Sequence, residues 1–189
     1  MNSSQNILIA IYKDSRTVFK ISDIAQLSGL TNPGLLARRM NYYVKQGQIL
    51  NLHKGIYAKE NYRMEELAAC LYTPSYISLD YVLQRKDVVF QYNSQITMIS
   101  YLSRSVQIEQ NEIRYRKIKG EILVNLIGIE YKEGLYIATP ERAFLDLFYL
   151  VPDFYFDNLA VLNKKKIKEI LPIYSSKALT QRTYKLLAL

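Results

Sequence analysis

The sequence predicts an α+β fold: an N-terminal winged helix-turn-helix followed by a mixed α+β domain with an antiparallel sheet and C-terminal helices. Three observations carry that expectation. Between Ile21 and Lys45 apolar residues recur at helical spacing in two segments, punctuated by Gly29 and closed by Gly47. From Val88 to Tyr136 the period shifts towards two, the spacing of strands with one buried face. After Thr139 the helical period returns, broken by Pro152 and Pro172. The polar stretch Asn61 to Arg63 reads as a linker, which divides the chain into residues 1–62 and 63–189.

Residues 3 to 13 place Ile7, Leu8, Ile11 and Tyr12 on a first helix behind a Ser/Asn-rich start. Thr17 to Ile21 is β-branched and aromatic, suited to a short strand beside a wing. Ser22 offers an N-cap to a helix from Asp23 to Ser28, with Ile24, Ala25 and Leu27 inward. Gly29 closes it where a left-handed residue costs least, and Leu30 plugs the core behind the turn.

Thr31 or Asn32 caps the next helix, and Pro33 takes its first position, where a missing N–H costs nothing. At 100° per residue, Leu36, Ala37, Met40, Tyr43 and Val44 fall on one face. The opposite face carries Gly34, Leu35, Arg38, Asn41, Tyr42 and Lys45, with Arg39 on the flank. Cations beside Asn and Tyr suit phosphates and base edges, so this segment reads as a recognition helix. A solvated face of a protein-interaction module is the alternative. Beyond Gly47, two β-prone runs, Ile49 to Leu52 and Ile56 to Ala58, flank a Lys54–Gly55 tip. A cation at that tip is placed to reach a phosphate or a minor groove. The neighbouring His53 reads as a polar loop residue.

In the second part, Met64 opens a helix with Leu67, Ala68, Leu71 and Tyr72 on one face, stopped by Pro74; Cys70 is read as a small buried side chain. Tyr76 and Ile77 read as extended, and Ser78 as the cap of a helix with Leu79, Val82 and Leu83. Strands are expected at Ile96 to Ser103, Ile113 to Ile118, Ile122 to Ile129 and Leu135 to Ala138. Turns are expected at Asn111–Glu112, Lys119–Gly120 and Glu133–Gly134. Arg114, Arg116 and Lys117 give the sheet a wet, basic face. Thr139 and Pro140 start a helix that buries Ala143, Phe144, Leu147 and Phe148. An aromatic loop, a helix with Ile167, Ile170 and Leu171 inward and Lys164 to Lys166 wet, and a last helix from Ser175 or Ser176 complete the chain.

Composition narrows the function classes. Of 189 residues, 49% are apolar and 22% charged, the balance of a globular protein, and no apolar run approaches a membrane span. The N-terminus lacks a basic n-region, so it reads as part of the mature, cytoplasmic protein. The formal net charge is +8. Residues 1–62 hold eight Lys/Arg against three acids, or +5, leaving +3 for the rest. Positive charge is therefore densest where the helix-turn-helix pattern lies, which favours a polyanionic partner. One Cys and one His exclude a disulfide framework and leave no ligand set for a structural zinc. No nucleophile–base pair or Walker loop is present. Glu141 and Asp146, the best carboxylate pair, are five positions apart and diverge on a helix. The expectation is a non-enzyme with no cofactor and no metal.

Two stretches, PSYISLDYVL from Pro74 and GLYIATPERAFLDL from Gly134, together with the N-terminal ISDIAQLSGLTNPGLLARRMNYYVKQGQILNLHKGIYA, resemble the AbiEi family of bacterial antitoxins and viral-defence regulators. The resemblance spans nearly the whole chain; TPERAFLDL is its most specific piece. After SLDYVL the family often shows a His-Gly pair where this chain reads QRKDVVFQ. The resemblance implies a DNA-binding autorepressor that recognises an inverted repeat at its own promoter. It also implies a type IV antitoxin that counteracts a nucleotidyltransferase-like toxin without a stable complex, as a monomer or a DNA-induced dimer. On the matching helix and wing it implies DNA contacts by Asn32, Arg38, Arg39, Tyr42, Lys45 and Lys54. Within the shared C-terminal motifs, Tyr76, Ser78, Glu141, Arg142 and Asp146 are the candidates for antitoxin function. A winged-helix interaction module that does not bind DNA is the alternative.

Overall fold

The computed structural model describes residues 7–188, and the fold is α+β in two compact units, Met1–Leu71 and Tyr72–Leu189.

The first unit contains α1 (Ile7–Lys13), β1 (Val18–Lys20), α2 (Ile21–Ser28), α3 (Pro33–Lys45), β2 (Leu50–His53), β3 (Ile56–Ala58) and α4 (Met64–Leu71). Its three strands form an antiparallel sheet in the order β1-β3-β2. Ile7, Ile11, Phe19, Ile24, Leu36 and Met40 meet in one core, with Leu27 and Leu30 packed against it. Of the predicted first helix, residues 3–6 lie outside the described residues. Tyr12 points outward rather than into the core and donates to the Gln48 carbonyl at 2.8 Å.

The start of α2 differs from expectation. It begins at Ile21, and Ser22 is exposed and caps nothing. The Asp23 carboxylate instead accepts from the Lys20 N–H at 2.9 Å and satisfies that end of the helix. Gly29 is left-handed with φ 67°, and Asn32, not Thr31, caps α3 by accepting from the Leu35 N–H at 3.0 Å.

The boundary also moves. Helix α4 belongs to the first unit, so the division falls after Leu71 rather than after residue 62. A buried carboxylate explains this: Glu66 Oε2 accepts from the Thr17 and Val18 N–H groups at 2.6 and 2.9 Å, while Arg63 Nε donates to Oε1 at 2.7 Å. These bonds fasten α4 to the start of β1. Cys70 on α4 is half-buried, not fully buried, and burial pushes its thiol up.

The second unit contains β4 (Ser75–Ile77), α5 (Asp80–Gln84), β5 (Ile96–Ser100), β6 (Arg104–Ile108), β7 (Asn111–Lys117), α6 (Gly120–Leu123), β8 (Ile129–Lys132), β9 (Leu135–Ala138), α7 (Pro140–Leu150), α8 (Lys164–Ile170), a 3₁₀ turn (Leu171–Tyr174) and α9 (Lys177–Leu187). Six strands run in the order β6-β7-β5-β4-β9-β8. The sheet is mixed rather than antiparallel, because β4 pairs parallel with β9 and β5 parallel with β7. Every residue of β5 is buried, as befits an interior strand.

Three local expectations are overturned here. Strand β6 follows a turn-rich stretch and pairs with β7 around Glu109 and Gln110, which moves the expected turn two residues earlier. Residues 122–129 are not a strand; Gly120–Leu123 is a helical turn and a loop follows. Ser78 caps nothing, since the N-cap of α5 is Leu79 at φ 62°. The helix start at Thr139–Pro140 holds, as does the Ser176 cap of α9, which begins at Lys177, and Asn163 caps α8 by accepting from the Lys165 and Lys166 N–H groups.

Candidate nucleic-acid interface

The alternation read along α3 survives folding. Leu36 and Met40 are buried and Ala37, Tyr43 and Val44 half-buried, while Gly34, Arg38, Asn41, Tyr42 and Lys45 are exposed and Arg39 is half-exposed. Because Leu36 and Met40 key into the core and Asn32 with Pro33 fixes the start, the outward residues sit on a rigid rod. Tyr42 is held by an edge-on contact with Tyr43, ring centres 5.8 Å apart, and keeps 58% of its surface exposed. It presents an aromatic face and a hydroxyl to whatever lies outside.

Electrostatics sharpen the picture. Residues 24–59 hold five Lys/Arg and no acid. None of Arg38, Arg39, Lys45 and Lys54 has an acidic side chain at ion-pair distance among the described residues. Three of the unit's five acids are engaged elsewhere: Asp14 with Arg16 at 2.8 Å, Asp23 with the Lys20 N–H, and Glu66 with Arg63. The α3 face is thus a set of uncompensated cations with polar and aromatic side chains between them.

The hairpin β2–β3 turns at Lys54–Gly55, with Gly55 at φ 74°. Lys54 and His53 are exposed. The Gly55 carbonyl accepts from the Ile21 N–H at 2.9 Å, so the hairpin tip is tied to the start of α2 instead of swinging free. Asn32 is exposed too, but its Oδ1 holds the cap of α3, leaving its amide N–H₂ as the group for an outside acceptor.

The C-terminal candidates behave differently: Tyr76, Ser78, Glu141, Arg142 and Asp146 are all buried. Four of them share one network. Asp146 Oδ1 accepts from Arg142 Nε at 3.2 Å and from the Tyr174 hydroxyl at 2.7 Å. Asp146 Oδ2 accepts from Tyr76 at 3.0 Å and Ser78 at 2.8 Å. Arg142 Nη2 donates to Tyr76 Oη and to the Ile122 carbonyl, both at 2.8 Å. Its Nη1 donates to the Asn125 and Ile127 carbonyls at 3.2 and 2.8 Å. All five guanidinium N–H groups and both carboxylate oxygens are therefore occupied. Burial raises the Tyr76 and Tyr174 hydroxyls, which stay protonated as donors. Burial also pushes the Asp146 carboxyl up, while the Arg142 charge and three hydroxyl donors act to hold it as the anion. Glu141 points elsewhere: its Oε1 accepts from the Asn163 N–H at 3.1 Å, as the divergence of positions 141 and 146 on a helix requires.

This network explains why residues 122–129 abandon the strand that their β-prone side chains favour. Three of their carbonyls face the guanidinium, a stronger partner than a neutral ladder bond. Two participants were missed from sequence. Tyr174 lies in the 3₁₀ turn after Pro172, where no period marks it. Gly128 has φ 77°, and a Cβ there would lie 2.8 Å from Ile170 Cδ1 and 3.0 Å from Arg142 Cβ. A lone glycine in an apolar run was the available signal.

Elsewhere, Arg114 and Lys117 are exposed and Arg116 half-exposed on β7, and Lys164 to Lys166 are exposed on α8. Among the described residues no three His, Cys, Asp or Glu side chains are grouped to hold a metal ion, and no helix is long and apolar enough to cross a membrane.

No protein-family model and no curated protein matches this chain. Among solved structures, it is similar to the crystal structure of the RV2827C protein from Mycobacterium tuberculosis, with a TM-score of 0.56 and 11% identity over 98% of this chain and 76% of that one. At that identity the likeness concerns the fold.

Proposed function

We propose that the first unit is a winged helix-turn-helix that binds double-stranded DNA, with α3 as the recognition helix and the Lys54 hairpin as the wing. The supporting observation is the rigid, acid-free α3 face, on which Arg38, Arg39 and Lys45 stand without counter-charges beside Tyr42. Lys and Arg there neutralise phosphates, and Arg38, Asn41 and Tyr42 reach base edges. In this reading the protein is an autorepressor acting on an inverted repeat at its own promoter. It is also the antitoxin of a type IV system, counteracting a nucleotidyltransferase-like toxin, as its motif resemblance to the AbiEi family implies. The motifs that carry the resemblance contribute Tyr76 and Ser78 from one and Arg142 and Asp146 from the other to the buried network. Those four act as positioning residues, and contact with a toxin or its substrate falls to the surface they hold in place.

A mobility-shift titration on DNA upstream of its own operon tests this. Arg38→Ala with Arg39→Ala should weaken binding and flatten the dependence of log K on log salt by roughly one unit for each phosphate no longer neutralised. An affinity that does not change rules out α3 as the DNA contact and leaves an interaction module that does not bind DNA.

A further inference from the structure

Strand β8 ends the six-stranded sheet and, among the described residues, pairs only with β9. Glu133 and Gly134 join the two strands with φ 50° and 84°, a two-residue turn whose closing pair, Lys132 and Leu135, exchanges backbone hydrogen bonds. By alternation the backbone groups of Lys132 and Glu130 face β9, and those of Tyr131 and Ile129 face outward. The Ile129 N–H is bound to the Leu126 carbonyl at 3.0 Å. Tyr131 is left with an outward N–H and C=O that meet no hydrogen-bond partner among the described residues. Such an edge is a template for another strand.

We propose that the strand it takes is β8 of a second copy of this chain, antiparallel, about a two-fold axis through Tyr131. The outward backbone groups set that register, since only a pairing centred on Tyr131 uses both of them reciprocally. The charges then match: Glu130 lies opposite Lys132 of the second copy, and Lys132 opposite its Glu130. Within one copy these two side chains already form an ion pair along the strand. A patch complementary to itself is what an isologous interface requires. On the other face of the strand, Tyr131 and Tyr136 meet in a tilted ring contact with centres 5.0 Å apart, both exposed, so four rings gather around the axis.

The loop leading into β8 adds apolar area. Val124, Leu126 and Ile127 are exposed, although their backbone is held from within by Arg142 through the Asn125 and Ile127 carbonyls. An apolar surface ordered before association loses little entropy on binding. The association needs no nucleic acid and stands or falls independently of the DNA-binding reading.

Sedimentation equilibrium of the full chain without DNA, up to high micromolar concentration, tests it. The expected result is a monomer–dimer equilibrium that Glu130→Lys weakens by about tenfold or more, because two attractive cross-strand pairs become repulsive. Adding Lys132→Glu to that variant should restore the dimer by exchanging the charges. Tyr131→Pro removes the outward N–H and should abolish association; circular dichroism reports whether this variant folds, and the charge exchange decides the matter if it does not. A chain that is monomeric throughout, a dimer indifferent to Glu130→Lys, or one weakened by it but not restored by the exchange overturns the proposal.

Discussion

Arg142 and Asp146, one turn apart on α7 and both without solvent exposure, form an ion pair of 3.2 Å in which neither group has an unused hydrogen-bonding position. Isolated buried charges are costly, and this pair is tolerated because Tyr76, Ser78, Tyr174 and three loop carbonyls replace the lost water. The pair joins a strand, a helix, a 3₁₀ turn and the loop before β8.

Removing one partner should therefore cost far more than removing both. Arg142→Met leaves Asp146 buried and uncompensated, and urea unfolding should show a loss of about 3–5 kcal/mol. Arg142→Met combined with Asp146→Leu should recover part of that loss. Arg142→Lys should not rescue, because an ammonium has three donors where the site uses five. A single substitution within experimental error of the parent would show that the network contributes nothing to stability.

Asn32 caps α3 and, in the proposed DNA-binding reading, also contacts DNA, and the two roles are separable. Asn32→Asp keeps an oxygen for the Leu35 N–H and places a favourable negative charge at the start of α3, so thermal stability should hold. The same change sets an anion beside the cationic face, and DNA affinity should fall by about tenfold, as like charges across an interface oppose binding. Asn32→Ala should instead lower stability by about 1 kcal/mol. Melting curves and shift assays on the two variants separate cap from contact.

Gly128→Ala should destabilise the second unit by about 1–3 kcal/mol, since its φ of 77° disfavours a side chain and the new Cβ would press on Ile170 and Arg142. Gly29→Ala meets no atom within 4 Å and suffers only the strain of its φ of 67°, so it should cost less. Denaturant midpoints of the two variants provide the comparison.

Glu66 makes the stability of the first unit depend on pH. Burial pushes its carboxyl up, but the Thr17 and Val18 N–H groups, the Thr17 hydroxyl and Arg63 prevail and hold it below the ordinary glutamate value. A depressed folded-state pKa means stability that is complete above the unfolded glutamate value and is lost as pH falls through the folded one. Glu66→Gln should lower stability at neutral pH and flatten the acid limb of the stability profile, read by unfolding at a series of pH values. An acid limb identical to the parent's would assign the pH dependence to other carboxylates.

The features legible from residue order are local ones. The inward and outward faces of α3 follow from 3.6-residue periodicity, its start from Asn32 and Pro33, and the hairpin turn from Lys54 and Gly55, each set by neighbours a few positions away. The candidate contacts on α3 were readable for the same reason, because exposure on a helix is a matter of phase. Ser22 and Ser78 looked like caps by type, yet the Asp23 carboxylate and the Asp146 network replaced those roles. Helix α4 read as the opening of a new domain until Glu66 reached back 49 positions to Thr17. The mixed sheet order, the surrender of a strand at residues 122–129 and the burial of Arg142 all rest on partners far along the chain. Tyr76 and Tyr174 meet Asp146 from 70 and 28 residues away. Periodicity, caps and turns carry information over one or two turns of backbone; which strand lies beside which, and which carbonyl satisfies a buried guanidinium, depends on contacts that exist once the whole unit has closed.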